Sequence, residues 1–384
     1  MSSPFSHSTS KPGYGNIVIS LLPPSTARLQ TCSYQYPLKL IAPTPLSHVL
    51  PSSTSSSEAI ESSSEAIESS SEAIESSLEA IETLIHTIYL LTYGGGLVAG
   101  DAINLTIQLA PTTRLILLTQ GSTKIFKSPG PSTVSKQSLV VDLAPASALC
   151  YLPDPVQPFE GSCFVQEQIY NLIQSEDGGK TASLCVLDWV SQGRAARGEN
   201  WRIWKYGSRN DVFLTPGPTQ DKPAKKMRLL LRDNVILEDP TSVDIAAPLS
   251  FASRVGKSGV FGTLILYGPL LSGLANYFMD EFKALPRIGA KKWHTEDSES
   301  DSEGEKQTSE VEAARKATQV RRSKRQKQEV KDDLLWTASI IRGFVLVKFG
   351  AREVEGVKRW LYGMLKDEGS VEKEFGERAL MCLK

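Results

Sequence analysis

Histidine is scarce in this chain of 384 residues: there are four, at His7, His48, His86 and His294. They are scattered, and no H-x-H or H-E-x-x-H pairing occurs, so the usual histidine-built metal sites are excluded. Cysteine is also thin, with five residues at Cys32, Cys150, Cys163, Cys185 and Cys382. The number is odd and no C-x-x-C pair exists, which argues for free thiols in a reducing compartment and against a disulfide framework. No apolar run approaches the ~18 residues of a membrane span. The opening "MSSPFSHSTSKPG" has no apolar core of a secretory signal. The formal net charge is −1, so no overall field points to nucleic acid or to an anionic membrane. These absences predict a soluble, cytoplasmic protein with neither nucleic acid nor membrane as a partner.

Nucleotide and nucleophile motifs are missing too. The stretch "LLTYGGGLVAGDAINLTIQL" (90–109) is glycine-rich, with Gly94, Gly95, Gly96 and Gly100 ahead of Asp101. A dinucleotide loop needs G-x-G-x-x-G leading into a helix; here the spacing is G-x-G-x-x-x-G and an alternating strand follows. The two P-loop candidates, "GGKT" and "GKS", have Gln174 and Phe251 where the first glycine should stand. No G-x-S-x-G elbow exists. The glycines therefore predict a tight turn between strands, where positive φ or close backbone packing is needed. Asp101 opens the next strand, and the simplest role for its carboxylate is to bond turn N–H groups.

What is present reads mainly as strands. In "INLTIQL", Ile103, Leu105, Ile107 and Leu109 share one face and Asn104, Thr106 and Gln108 the other, the period of a half-buried strand. "RLILLTQG", "SLVVDL", "ASALCYLP", "ASLCVLDWV", "NWRIWKYG" and "RLLLRDNVILED" follow between turn residues. The pattern predicts a mainly β fold, a layered sandwich or meander of many short strands. Helical spacing comes late. Leu271, Leu274, Ala275, Phe278 and Phe282 share one face; so do Val354, Val357, Leu361, Met364 and Leu365, before a stop at Gly369. The row ending at Met364 and Leu365, rimmed by Lys366, Asp367 and Glu368, suits either a partner or the sheet.

Two inserts interrupt one domain spanning 1–384. Four heptads of the type "SSSEAIE" occupy 55–82. With one strong apolar position per heptad they cannot build a coiled-coil seam, so 52–84 is expected to be disordered. The second insert, 290–333, is likewise expected to be disordered; it joins an acidic block "EDSESDSEGE" to a basic block "RKATQVRRSKRQK". A basic run of this kind suits a nuclear signal or nucleic-acid patch, or a solvated loop with compensating charge; the second reading is preferred.

"TYGGGLVAGDAINLTIQLAPTTRLILLTQGSTKIFKS" (92–128) resembles the signature region of urease accessory protein D, a family also called protein H. The family's Thr-x-Gly-x-x-Lys-x-x-x-Ser stretch falls on Thr119, Gly121, Lys124 and Ser128. "LCYLPDPVQPFEGSCF" (149–164), "LDWVSQGRAARGENW" (187–201) and "GVFGTLILYGPLL" (259–271) continue the likeness in the same order. Thr92-Tyr93 departs from a frequent Pro-Pro pair, and Pro155 from a frequent Glu. The resemblance implies a layered β protein with a few C-terminal helices and no catalysis of its own. It implies binding to apo-urease and accessory protein F, and through the latter to the GTPase, accessory protein G. It also implies nickel in transit, with no tightly bound cofactor. The candidate nickel-path or interface residues are Asp101, Glu160, Asp188, Arg194, Arg197 and Glu199; no metal ligand is assigned. Each has a structural alternative: a cap, a turn hydrogen bond, or a buried ion pair such as Asp188 with an arginine. Two other classes stay open, a β-sandwich module for a different partner and an enzyme using Asp101 and Glu160 as an acidic pair.

Overall fold

The computed structural model describes residues 11–23, 25–50, 81–175, 179, 181–217, 227–238, 251–285 and 307–384, the side chains at 48–50, 81–83 and 307–314 excepted. The heptads at 55–80 and the acidic block lie outside the described residues.

The chain first forms β1 (Tyr14–Leu22), β2 (Thr26–Tyr34), β3 (Leu38–Ile41), β4 (Leu46–Leu50), β5 (Ile81–Thr92) and β6 (Gly96–Leu97). Then come β7 (Ala102–Leu109), β8 (Arg114–Leu118), β9 (Thr123–Ile125), β10 (Ser135–Leu143), β11 (Ala148–Tyr151) and β12 (Val156–Pro158). The central part ends with β13 (Cys163–Ile173), β14 (Ser183–Ser191), β15 (Lys205–Thr215) and β16 (Arg228–Glu238). After these come α1 (Phe251–Val255), β17 (Val260–Tyr267), α2 (Ser272–Lys283) and α3 (Gln307–Lys331). β18 (Leu335–Ile341), β19 (Phe344–Ala351), α4 (Val354–Glu368) and α5 (Ser370–Phe375) close the chain.

A first sheet has seven strands in the order β16-β15-β13-β10-β7-β1-β2. A second sheet of twelve runs β18-β19-β17-β14-β11-β8-β5-β3, with β4, β6, β9 and β12 beside that path. The mainly β, layered architecture with a small C-terminal helical part is as the sequence predicted. The connectivity is not a simple meander. From β7 to β15 the chain alternates between the sheets, and β7, β10, β13 and β15 pair in parallel, as do β5, β8, β11 and β14. The result is a flattened coil.

β7 alternates as expected, with Ile103, Leu105, Ile107 and Leu109 all buried against the facing sheet. β14 and β8 are buried along their whole length, because β14 and β8 face the first sheet on one side and helices on the other. That second core contains Leu271, Leu274 and Phe278 of the α2 region and Val357, Trp360, Leu361, Met364 and Leu365 of α4. The row ending at Met364 and Leu365 thus packs inside the protein. Gly369 ends α4 in the left-handed conformation, bonding back to the Leu365 carbonyl. "NWRIWKYG" is a correction: its first half is turn, Trp201 has φ 54°, and the strand begins at Lys205.

The inserts are shorter than the composition suggested. β5 starts at Ile81, paired with Leu50, so 81–84 belong to the sheet and not to the heptad insert. In the charged insert, 307–331 form α3, so this part is not disordered. Its anchor is electrostatic. Buried Glu281 of α2 accepts from Arg322 Nε at 2.8 Å and Arg325 Nη1 at 2.6 Å. Glu329 accepts from Arg325 and from the indoles of Trp336 and Trp360, at 3.0, 3.2 and 3.0 Å. Two basic residues of the run, both half-buried, are therefore ion-pair partners of a buried glutamate, not part of a solvated loop.

Candidate functional site

Turns at one end of the coil carry most of the candidate residues. They return the chain from the second sheet to the first, at 93–101, 119–134, 152–162 and 192–204. Gly94, Gly95 and Gly100 have φ of 75°, 74° and 87°. Gly96 is extended, but a Cβ there would sit 2.4 Å from the Lys124 carbonyl oxygen, so it allows β6 to lie against β9. The Asp101 carboxylate accepts from the Val98 N–H at 2.9 Å and closes its own turn.

Glu199 is buried and bound by the Arg194 guanidinium, which also lies over the Phe159 ring at 4.1 Å. That hydrogen bond is the main reason the Glu199 carboxyl sits below the usual carboxylate range. Exposed Glu160 faces Arg202 at 3.7 Å, and Arg197 is exposed on the neighbouring turn. Asp101 and Glu160 thus lie at the same end, yet each carboxylate has its own local partner.

Asp188 is set apart from these, in the middle of β14 and facing the first sheet. Among the described residues no arginine meets it, contrary to the ion pair considered from the sequence. Three neutral donors do: Gln166 Nε2 at 2.7 Å, Ser208 Oγ at 2.5 Å and Asn210 Nδ2 at 2.6 Å. Burial pushes its pKa up, and the Ser208 and Asn210 hydrogen bonds oppose that shift.

The register explains why these groups meet. On the first sheet Gln137 is opposite Gln166 and Gln166 opposite Ser208; two residues on, Gln168 is opposite Asn210 and Asn210 opposite Asp233. On the second sheet Asp188 is opposite Thr263 and Thr263 opposite Lys348. Rows of polar side chains therefore face each other across a gap of about 10 Å. Lys348 Nζ bridges them, 2.5 Å from Asp233 Oδ1 and 3.3 Å from Thr263 Oγ1.

Toward the turns the seam continues past Thr123 and Val156 to Asp154, around a cavity of only about 10 Å³. Asp154 accepts from the Gly121 N–H at 2.9 Å and from Lys358 Nζ at 2.8 Å; its own N–H donates to Thr119 Oγ at 2.7 Å. Two buried oxygens in the seam, Asn210 Oδ1 and Asp233 Oδ2, have no hydrogen-bond partner. A continuous polar track between sheets whose remaining inner face is apolar is costly to build. Its donor set is carboxylate, amide and hydroxyl, a set suited to weak, exchangeable contact with a divalent cation. Among the described residues, no three His, Cys, Asp or Glu side chains come together as a metal cage.

The sequence pointed to Asp188 and missed its surroundings: Gln137, Gln166, Gln168, Ser208, Asn210, Asp233, Asp154, Lys348 and Lys358. A signal existed. Gln166 and Gln168 lie in phase with Phe164, Tyr170 and Leu172, the buried face of β13. Polar residues in the apolar phase of a strand mark a polar stretch in the core.

Residues 73–367 match the family model described as UreD urease accessory protein. The chain is 29% identical over 264 residues to "Urease accessory protein 4" of Cryptococcus neoformans var. grubii, covering 63% of this chain and 66% of that protein. It is 29% identical over 285 residues to an "Uncharacterized urease accessory protein ureD-like" of Schizosaccharomyces pombe, covering 74% and 82%. With "Urease accessory protein D" of Arabidopsis thaliana it shares 31% over 196 residues, covering 51% and 59%. The match to the family model runs through the coil, the polar seam and most of the helical layer, and on it the chain belongs to the UreD urease accessory protein family.

Proposed function

We propose that the protein is a cytoplasmic maturation factor for urease that has no catalytic step of its own and passes nickel inward along the polar seam. One observation carries this reading: a row of carboxylate, amide and hydroxyl oxygens buried between two sheets, with Asp188 at its centre. A stability-driven core would place apolar groups there, because unpaired polar atoms between sheets are costly. Nickel in transit needs oxygens that bind and let go, which the mixed donor set supports better than thiolates would.

Membership of the family supports the scaffold part of the proposal. The partners are apo-urease, accessory protein F and, through the assembled complex, the GTPase accessory protein G. In this division of labour the GTPase hydrolyses nucleotide, and this chain holds the complex and supplies the path.

The test is a reconstitution with the Asp188→Asn protein. The variant keeps the shape of the side chain and removes the negative charge. We expect it to co-purify with apo-urease and accessory protein F as the unsubstituted protein does, and to yield less urease activity per nickel supplied. Normal activation by a fully assembled Asp188→Asn complex would take the seam out of nickel delivery.

A further inference from the structure

Lys348 occupies an unusual position for a cation. Its ammonium sits 2.5 Å from Asp233 Oδ1 and 3.3 Å from Thr263 Oγ1, at the edge of the seam, with the side chain half-exposed. Around that point the register gathers Asn210 beside Asp233 and Thr263 beside Asp188. Asp233 Oδ2 and Asn210 Oδ1 are buried acceptors without a partner, and both residues are more than nine-tenths buried. Four side chains thus present more oxygen to this point than one ammonium with three N–H groups uses.

We propose that this is a divalent-cation subsite, built from Asp233, Asn210, Thr263 and Asp188, in which the Lys348 ammonium is the resident cation that an incoming metal ion displaces. The assignment rests on the seam carrying a cation. It adds that the seam is closed at this mouth by its own lysine.

The physics favours exchange over permanent binding. Without the lysine, the carboxylates of Asp188 and Asp233 would face each other across the seam uncompensated, at high cost in a low-dielectric site. The lysine removes that cost when no metal is present. A divalent ion brings twice the charge and can use the two idle oxygens, and the ammonium can swing out because its side chain already reaches solvent. Net affinity is therefore weak, as a transfer site requires. The other mouth repeats the arrangement in simpler form, with Lys358 Nζ 2.8 Å from Asp154.

The test measures nickel binding by the purified full-length protein, separately from urease activation. Lys348→Gln removes the competing charge and should bind Ni²⁺ at least about tenfold more tightly, since a unit charge at such short range is worth more than that even at an effective dielectric constant near 20. Lys348→Arg keeps a cation in place and should show no gain. Adding Asp233→Asn to Lys348→Gln should abolish the gain. If Lys348→Gln does not fold, Lys348→Met carries the same expectation. Affinity unchanged within twofold on removing the lysine, or a gain that survives Asp233→Asn, would overturn the assignment. Because the readout is affinity, its failure would leave the Asp188→Asn activation test standing.

Discussion

Removing the Asp188 side chain and removing only its charge should have unequal consequences for stability. Asp188→Ala deletes the acceptor of three buried hydrogen bonds, from Gln166, Ser208 and Asn210. A stranded buried donor costs about 1–3 kcal/mol, so the gross loss is roughly 3–9 kcal/mol. Part returns, because the carboxylate's desolvation cost goes with it and the Ser208 hydroxyl can rotate to another acceptor. We expect a net loss of about 2–5 kcal/mol, a large share of the stability of an ordinary domain. Asp188→Asn differs. One oxygen still accepts, and the new amide can donate to Asn210 Oδ1, which has no partner, once the Asn210 amide turns over. Its cost should stay within about 1 kcal/mol.

The pH dependence gives a sign to check. Burial raises the folded-state pKa of Asp188 above its unfolded value. The contribution of this group to stability is then fully present below the unfolded pKa and is lost as pH rises through the folded one. The unsubstituted protein should accordingly lose stability relative to Asp188→Asn as pH rises from the acidic side. Urea denaturation of the three proteins at several pH values measures all of this. If Asp188→Asn is as unstable as Asp188→Ala, the hydrogen-bond account of the seam is wrong; relative stabilities that shift the other way with pH would mean that the hydrogen bonds outweigh burial at Asp188.

Three further outcomes are expected. Asp101→Ala should melt slightly earlier, losing about 1 kcal/mol with its Val98 hydrogen bond, and should still activate urease at low temperature; loss of activation in a protein that melts normally would return Asp101 to the nickel path. Gly96→Ala should cost about 1–3 kcal/mol, because its Cβ meets backbone at 2.4 Å, and Gly94→Ala about 1–2 kcal/mol from its positive φ alone; thermal unfolding orders the two, and the reverse order would refute the close-approach reading. Arg325→Met breaks the cluster with Glu281 and Glu329 and should lose about 3–5 kcal/mol in urea denaturation, while unchanged stability would mean that α3 does not hold to the body in solution.

How far the sequence could be read depended on how local each feature was. Ile103, Leu105, Ile107 and Leu109 announced β7 because alternation is a property of neighbours. Alternation says nothing about which strand comes to lie alongside, so the parallel coil was not legible. The glycine turn was, including Asp101 as its cap, since both lie within a few residues. Asp188 stood out as a charge among apolar residues, but its three partners come from β13 and β15, brought near by register alone. Gln166 and Gln168 could have been found from their phase. Lys348 and Asp233, 115 positions apart, could not. Arg322 and Arg325 were hidden by composition. In a run rich in Lys and Arg, nothing local distinguishes the two that reach Glu281, 41 and 44 positions away.

The central claim is that nickel travels between the two sheets. Its most direct test is the anomalous scattering of crystals of the protein grown with Ni²⁺, collected on both sides of the nickel edge. The account predicts a peak inside the seam, bonded to a carboxylate oxygen of Asp188 or Asp233. Nickel found only on the outer surface, with the space around these two aspartates unchanged, would contradict it.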